Sequence, residues 1–354
     1  MKRRVLYLLK PHLIPCHFLI DRHLLNGILK ISGSVSSTLI ILYQLKTIRY
    51  RMEKLIVVCG ATGTLGKSVV YALLEDSSVA VRGITSNVEG RSATALAELG
   101  VEMMAASAED KPSLERAFGG AYGVFIVTDF YKIHDQAKEI QMGKNMVDAA
   151  KSADVKHVVI IGAKSVKKLL NKDVPSMDDR AEIEEYLFAS GLSATSLHLA
   201  MPMGVLMTFL QKTKDGKITL NIPMAGKKLY SYKHKAVGGP VAAIFNDPEK
   251  YKGLTIGLAG DHLTVQEYCD VINKLRDDNT LSAGKMTAKE FVEYQPPAKR
   301  PFAEVICTIC EFYQSDHPSF DLEKTKGLHP ETLNFEQFMS GEMSKLQKML
   351  KYLD

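Results

Sequence analysis

Residues 60–66 read Gly60-Ala61-Thr62-Gly63-Thr64-Leu65-Gly66, residue types spaced so that they can bind a phosphate. Glycines at the first, fourth and seventh places permit a tight turn and bring backbone N–H groups close to an anion. A helix that starts there adds its positive end. The run before it, Leu55-Ile56-Val57-Val58-Cys59, is apolar enough for a buried strand, and Lys67 to Glu75 reads as the following helix. A glycine string alone is a weak signal; strand, glycine turn and helix in that order point to a dinucleotide site. Gly66-Lys67-Ser68 also matches the end of a nucleoside-triphosphate loop. That pattern needs a glycine five residues before Gly66, and Ala61 stands there.

An NAD-selective site carries an acid at the end of the second strand, where it holds the ribose 2′-hydroxyl. Here the segment is Thr85-Ser86-Asn87, so a 2′-phosphate meets no repulsion, and Arg91 is the nearest cation outside a strand. NADP(H) is therefore expected over NAD(H). Tyr131, Lys132 and His134 follow the fourth strand and are the candidates for proton transfer, although plain loop residues are the commoner explanation of such a trio. His198 is expected to be satisfied within the core. Cys307-Thr308-Ile309-Cys310 has no second pair to complete a zinc site and lies in a helical pattern from Phe302 to Tyr313, so it reads as apolar packing.

These residues need elements to position them. From Lys54 the pattern alternates strand and helix: strands at 54–59, 79–85, 101–105, 123–127, 157–161 and about 194–199, with helices at 91–99 and about 134–153 among those between. That order implies an α/β, Rossmann-type doubly wound parallel sheet. After residue 200 the alternation dissolves into a smaller C-terminal α+β lobe, expected to roof the strand ends. Thr264 to Glu267 and Asn334 to Gln337 fit helix-start capping boxes. The expected division is 52–200 mainly dinucleotide-binding and 201–354 mainly C-terminal lobe. Hydrophobic residues make up 46% of the 354 and charged ones 24%, so a sizeable core is expected.

The net charge of +5 is misleading. Residues 1–51 hold nine of the 45 basic residues and one of the 40 acidic ones, leaving 36 and 39 in the rest, a net of −3. A mildly acidic body argues against a broad nucleic-acid footprint. The basic segment has no clear period, and its longest uncharged stretch is too short and too hydroxylated to span a membrane. It reads as an extension without a folded role, with a mitochondrial transit peptide as the alternative. The five cysteines are few and scattered, as in a reducing compartment.

Gly60-x-x-Gly63-x-x-Gly66, Gly119-Gly120-Ala121-Tyr122-Gly123-Val124-Phe125-Ile126-Val127-Thr128 and Glu182-Ile183-Glu184-Glu185-Tyr186, with Pro248 to Tyr251 and Phe312-Tyr313, resemble the NmrA-like family of atypical short-chain dehydrogenase/reductases. The resemblance runs from about Met52 to the C-terminus. It implies NADP(H) binding and, in the branch this chain is most similar to, sensing of the NADPH/NADP⁺ ratio through protein partners rather than turnover. It implies cofactor contacts from Gly60, Thr62, Gly63, Thr64, Leu65, Gly66, Ser86, Ser107, Thr128 and Arg180, to which the charge argument adds Arg91. The partners are unidentified, a homodimer stays open, and cytoplasm with nucleus is the implied location.

The chain departs from the family at several of these places. Ser86 stands where relatives carry an Arg for the 2′-phosphate, Ser107 where they carry an acid, Ile161 where they carry a Ser, and Arg180 where reductase members carry a catalytic Lys. Short-chain reductases pair that Lys with a Tyr four residues earlier; here the position is Ser176. A guanidinium stays charged and passes on no proton at neutral pH. The expected function is a non-catalytic NADP(H)-responsive regulator. The alternatives are an NADP-dependent reductase using Tyr131, Lys132 or His134, and an interaction module that has lost the dinucleotide.

Overall fold

Apolar runs bounded by glycines and polar turns become the strands of one central sheet. The computed structural model describes residues 54–213 and 216–351, so the reading of residues 1–51 falls outside the described residues. The first part of the chain runs β1 (Lys54–Val58), α1 (Thr64–Leu74), β2 (Val79–Thr85), α2 (Arg91–Glu98), β3 (Glu102–Ala105), α3 (Lys111–Phe118), β4 (Gly123–Ile126), the single-turn α4 (Phe130–Ile133), α5 (Gln136–Ser152), β5 (His157–Gly162), α6 (Val166–Leu170), α7 (Pro175–Ala189) and β6 (Ala194–Leu199). The second part runs β7 (Met201–Pro202), α8 (Met203–Leu206), β8 (Leu210–Lys212), β9 (Ile218–Leu220), β10 (Leu229–Tyr232), α9 (Gly238–Asn246), α10 (Pro248–Tyr251), β11 (Thr255–Leu258), β12 (Asp261–Leu263), α11 (Val265–Arg276), β13 (Leu281–Ala283), α12 (Ala288–Tyr294), α13 (Arg300–Gln314), α14 (Leu322–Leu328) and α15 (Phe335–Lys351).

The sheet has seven parallel strands in the order β11-β6-β5-β4-β1-β2-β3. The order turns back between β1 and β4, and such a reversal opens a crevice at the strands' C-terminal ends. One face packs on α1 and α9 through Val58, Val69, Phe125, Ile161, Val241 and Phe245. The other packs on α3, α5 and α7 through Val57, Leu114, Val124, Met146, Ile160 and Ile183. Burial on both faces is why these strands read as unbroken apolar runs.

The alternation that fades after residue 200 resumes once. β11 adds the edge strand beside β6, with Thr255 opposite Ser196 and Leu258 opposite Leu199. α9 clamps α1: the Ser68 hydroxyl donates to the Lys235 carbonyl at 2.7 Å and accepts from the Gly238 N–H at 2.9 Å. The remainder forms two three-stranded sheets, β12-β10-β7 and β13-β9-β8, around a separate core that includes Met203, Leu206, Tyr268, Ile272 and Phe335. Both expected capping boxes are present. Thr264 and Glu267 exchange hydrogen bonds at the start of α11, and Asn334 and Gln337 do so at the start of α15.

Candidate dinucleotide site

The site is built from the C-terminal ends of β1 to β4 and the helices that follow them. Gly60 has φ +62°, a left-handed conformation that favours glycine, and its carbonyl accepts the Gly63 N–H at 2.9 Å. Gly66 is buried against that carbonyl, where an added Cβ would fall on the Gly60 oxygen, so the seventh position must be glycine for α1 to approach the turn. Gly63 is the N-cap of α1 and supplies no side-chain acceptor, leaving the first-turn N–H groups without a capping side chain. Thr62 and Leu65 are half-buried, while Gly63 and Thr64 are exposed. A turn that requires glycine at its first and seventh places, at the uncapped positive end of a helix, fits a pyrophosphate.

Around the next strand ends the expected residues divide. Ser86 is exposed just past β2, and Arg91 is exposed at the first position of α2, which also starts from an uncapped glycine, Gly90. Arg82 is spent elsewhere: it pairs with Glu102 at 2.9 Å and donates to the carbonyls of Ala117 and Gly119. Lys67 was not singled out in the sequence, where it resembled only a stray loop signature. Its ammonium lies 2.9 Å from Ser92 Oγ, joining α1 to the start of α2 beside Arg91. Ser107 turns inward on its own loop, its hydroxyl accepting the Glu109 N–H at 3.2 Å and its N–H donating to Ser113 Oγ.

Past β4, Arg180 reaches from α7 and donates through Nη2 to the Thr128 carbonyl at 3.2 Å. The Tyr131 and Ser176 hydroxyls are 3.3 Å apart, and either can donate. Lys132 and His134 are exposed; the His134 ring meets Phe130 edge-on, and its own φ of 53° closes α4. Ile161 is packed in the core. His198 is buried and holds Glu184 Oε2 at 2.7 Å, as expected of a satisfied core histidine.

The polar cluster behind Arg180 was not legible in the sequence. Glu139 on α5 and Asp179 on α7 are buried side by side, and burial pushes the Glu139 carboxyl up to about 7 against the pull of Arg180. Burial also raises Asp179. Desolvation disfavours two neighbouring carboxylates, so both are pushed toward their protonated forms. The loop before α7 is tied down rather than free. Asp178 accepts from the Ser165 hydroxyl and from the N–H groups of Lys167 and Val174, and Lys164 donates to the His317 carbonyl.

Cys307 and Cys310 lie on α13 as expected; both thiols are unpaired, and burial pushes them up to about 11 and 12. No cluster of metal-ligating residues occurs among the described residues, and no helix there is long and apolar enough to cross a membrane.

The profile described as NmrA-like family matches residues 52–345. The chain belongs to the NmrA-like family. Among curated relatives, this NmrA-like protein is 26% identical over 259 residues to the NmrA-like family domain-containing oxidoreductase cpsB of Aspergillus campestris, covering 66% of this chain and 76% of that one. Among solved structures it superimposes on the negative transcriptional regulator NmrA in complex with NAD, with TM-score 0.69, 18% identity and coverage of 86% and 99%. It also superimposes on the Citrobacter triphenylmethane reductase complexed with NADP(H), with TM-score 0.64, 21% identity and coverage of 79% and 97%. These likenesses establish the fold expected from the sequence.

Proposed function

We propose that this NmrA-like protein binds NADP(H) and acts as a redox-responsive regulator of partner proteins, reading the NADPH/NADP⁺ ratio without sustained turnover. The observation that carries the reading is the uncapped start of α1 on the Gly60–Gly63–Gly66 turn, with Gly66 seated on the Gly60 carbonyl. The N–H groups of Thr64 and Leu65 would hold the pyrophosphate, that of Gly63 being given to the Gly60 carbonyl. Ser86, Arg91 and Lys67 border the end where a 2′-phosphate belongs, and Thr128 and Arg180 border the nicotinamide end. When bound, the cofactor supplies a hydride. Ile161 packed in the core and an Arg180 bonded to Thr128 leave the usual proton-transfer positions without a Ser or a Lys, which favours sensing. The test is calorimetric titration with NADPH, NADP⁺ and NADH in parallel. The sensing reading expects NADPH and NADP⁺ to differ in affinity and NADH to bind most weakly; equal affinities for all three would sink it.

A second reading, an NADP-dependent reductase of a small carbonyl or quinone, is favoured by the hydroxyl pair of Tyr131 and Ser176. The oxidoreductase names of curated relatives are consistent with it.

A further inference from the structure

We infer that the buried pair Glu139 and Asp179, behind Arg180, sets the protein's preference between NADP⁺ and NADPH, the oxidised form gaining as pH rises. The inference rests on the sensing reading and gives it a physical basis. Arg180 crosses from α7 to the Thr128 carbonyl at 3.2 Å, which puts a permanent cation at the end proposed for the nicotinamide. The two cofactor forms differ there by one charge, because the oxidised ring is a cation and the reduced ring is neutral. An unopposed guanidinium therefore favours NADPH. Glu139 and Asp179 are the groups that oppose it. Both are buried. Asp179 Oδ1 accepts from Gln136 Nε2 at 3.0 Å. Asp179 Oδ2, both carboxyl oxygens of Glu139 and Arg180 Nε have no hydrogen-bond partner among the described residues. The side chains that bear on Glu139 are Thr128, Arg180 and Asp179, two of which border the nicotinamide end.

Unbonded acids are costly to bury and serve packing worse than apolar side chains of similar volume. What they add is charge. With both carboxyls protonated the cluster carries the single positive charge of Arg180; with one ionised it is neutral, and a cationic ring meets no net repulsion. The other charged groups around the cluster are engaged elsewhere or exposed. On α7, Asp178 is held by Ser165, Lys167 and Val174, and Glu182 pairs with Lys144 of α5 at 2.7 Å. Asp135 caps α5, and Lys138 pairs with Glu109. α3 meets α5 through Lys111 and Asp148, β4 brings no titratable group, and Asp129, Lys132 and His134 around α4 are exposed. His234, which bears on Arg180 from the turn before α9, donates to the Ala200 carbonyl at 2.8 Å; desolvation pushes its ring down to about 4, so it is neutral throughout the range concerned. Glu139, pushed up to about 7 by burial, is the group that changes charge there. Below that value NADP⁺ binding must expel a proton and is weakened; above it the carboxylate is already formed. NADPH, with a neutral ring, has no such link.

The experiment titrates the full chain with NADP⁺ and with NADPH by calorimetry between about pH 6 and 8.5. The readout is the ratio of the two affinities, in which the ionisation of the 2′-phosphate, common to both ligands, cancels. The ratio of NADP⁺ to NADPH affinity is expected to rise about fivefold across that range, as it must if bound NADP⁺ makes the carboxyl ten times more acidic. Repeated at about pH 7 in buffers of different ionisation enthalpy, NADP⁺ should release about 0.4 proton more than NADPH. Glu139→Gln fixes the uncharged form, so its ratio should be flat and equal to the wild type's value at the acid end. Asp179→Asn removes the neighbour that hinders ionisation of Glu139, so the rise should move to lower pH. A merely structural role for either residue would change both affinities together and leave the ratio alone. A ratio that does not vary with pH, or that varies equally in wild type and Glu139→Gln, would overturn the role of the pair and leave the sensing reading standing. Failure of both cofactors to bind the wild type would overturn the sensing reading and this inference with it.

Discussion

Helices α1 and α11 begin in opposite ways. α11 opens on Thr264, whose hydroxyl accepts the Glu267 N–H while the Glu267 carboxylate accepts the Thr264 N–H. α1 opens on Gly63, which offers no side chain. A closed helix start satisfies its own donors and serves the C-terminal core; an open one keeps its donors available at the sheet edge. The difference teaches where the chain forgoes local stability. α2, which borders the same edge, also starts from an uncapped glycine; α5, α6, α12 and α14 start from side-chain caps, while α3, α7, α9 and α13 start without one from residues other than glycine.

The strongest way to break the comparison is to close α1. Gly63 has φ −82° and ψ 174°, a conformation open to any residue, although its Cβ would stand 3.2 Å from the Gly60 oxygen and require the turn to yield by a few tenths of an ångström. Gly63→Asp therefore supplies a cap and a negative charge together. NADPH affinity is expected to fall by about a hundredfold or more, roughly 2.7 kcal/mol, in calorimetry. The melting temperature without cofactor should stay within about 2 °C, because exchanging glycine for a capping residue alters stability by only a few tenths of a kcal/mol. Unchanged affinity in the folded variant would remove the site.

Next in size is a gain at the open edge. Ser86→Arg places a guanidinium beside Arg91 and Lys67, and one charge-assisted phosphate contact contributes roughly 1.5–3 kcal/mol. NADP(H) should bind about tenfold tighter or better, with NADH unchanged. An equal gain for both would show that the 2′-phosphate lies elsewhere. Opening the closed helix has the complementary signature. Thr264→Ala should lower stability by about 1 kcal/mol in urea unfolding and leave NADPH affinity alone.

A further prediction concerns pH. Glu139 is raised in the folded state to about 7 from 4.5. The folded protein therefore binds more protons than the unfolded one between those values, and stability declines as pH rises through that window. Glu139→Gln should flatten the melting temperature between about pH 5 and 7. An unaltered slope would mean the proton resides elsewhere.

Much of the open edge was legible in the sequence because its signals are local. Gly60, Gly63 and Gly66 lie within one turn and declare their backbone needs by residue type, and the apolar runs of β1, β4 and β5 declare burial on both faces. What was hidden depends on helices that meet only in space. Tyr131 and Ser176 are 45 residues apart. Glu139 reads as a polar helix residue until α7 brings Asp179 against it. β11 is four short, half-polar residues whose place beside β6 nothing local reveals.

The Ser68 clamp has a consequence for biosynthesis. It joins residues 170 apart, and β11 follows later still. At translation rates of about 5–20 residues per second, α1 waits roughly 10–30 s after emerging for the segment that holds it. During that interval Val69, Val70 and Leu73 lack part of the apolar wall they finally pack against, and one edge of the sheet stays unpaired. The nascent chain therefore exposes its cofactor half longest, and chaperones have their widest opportunity there before the C-terminal segment folds back.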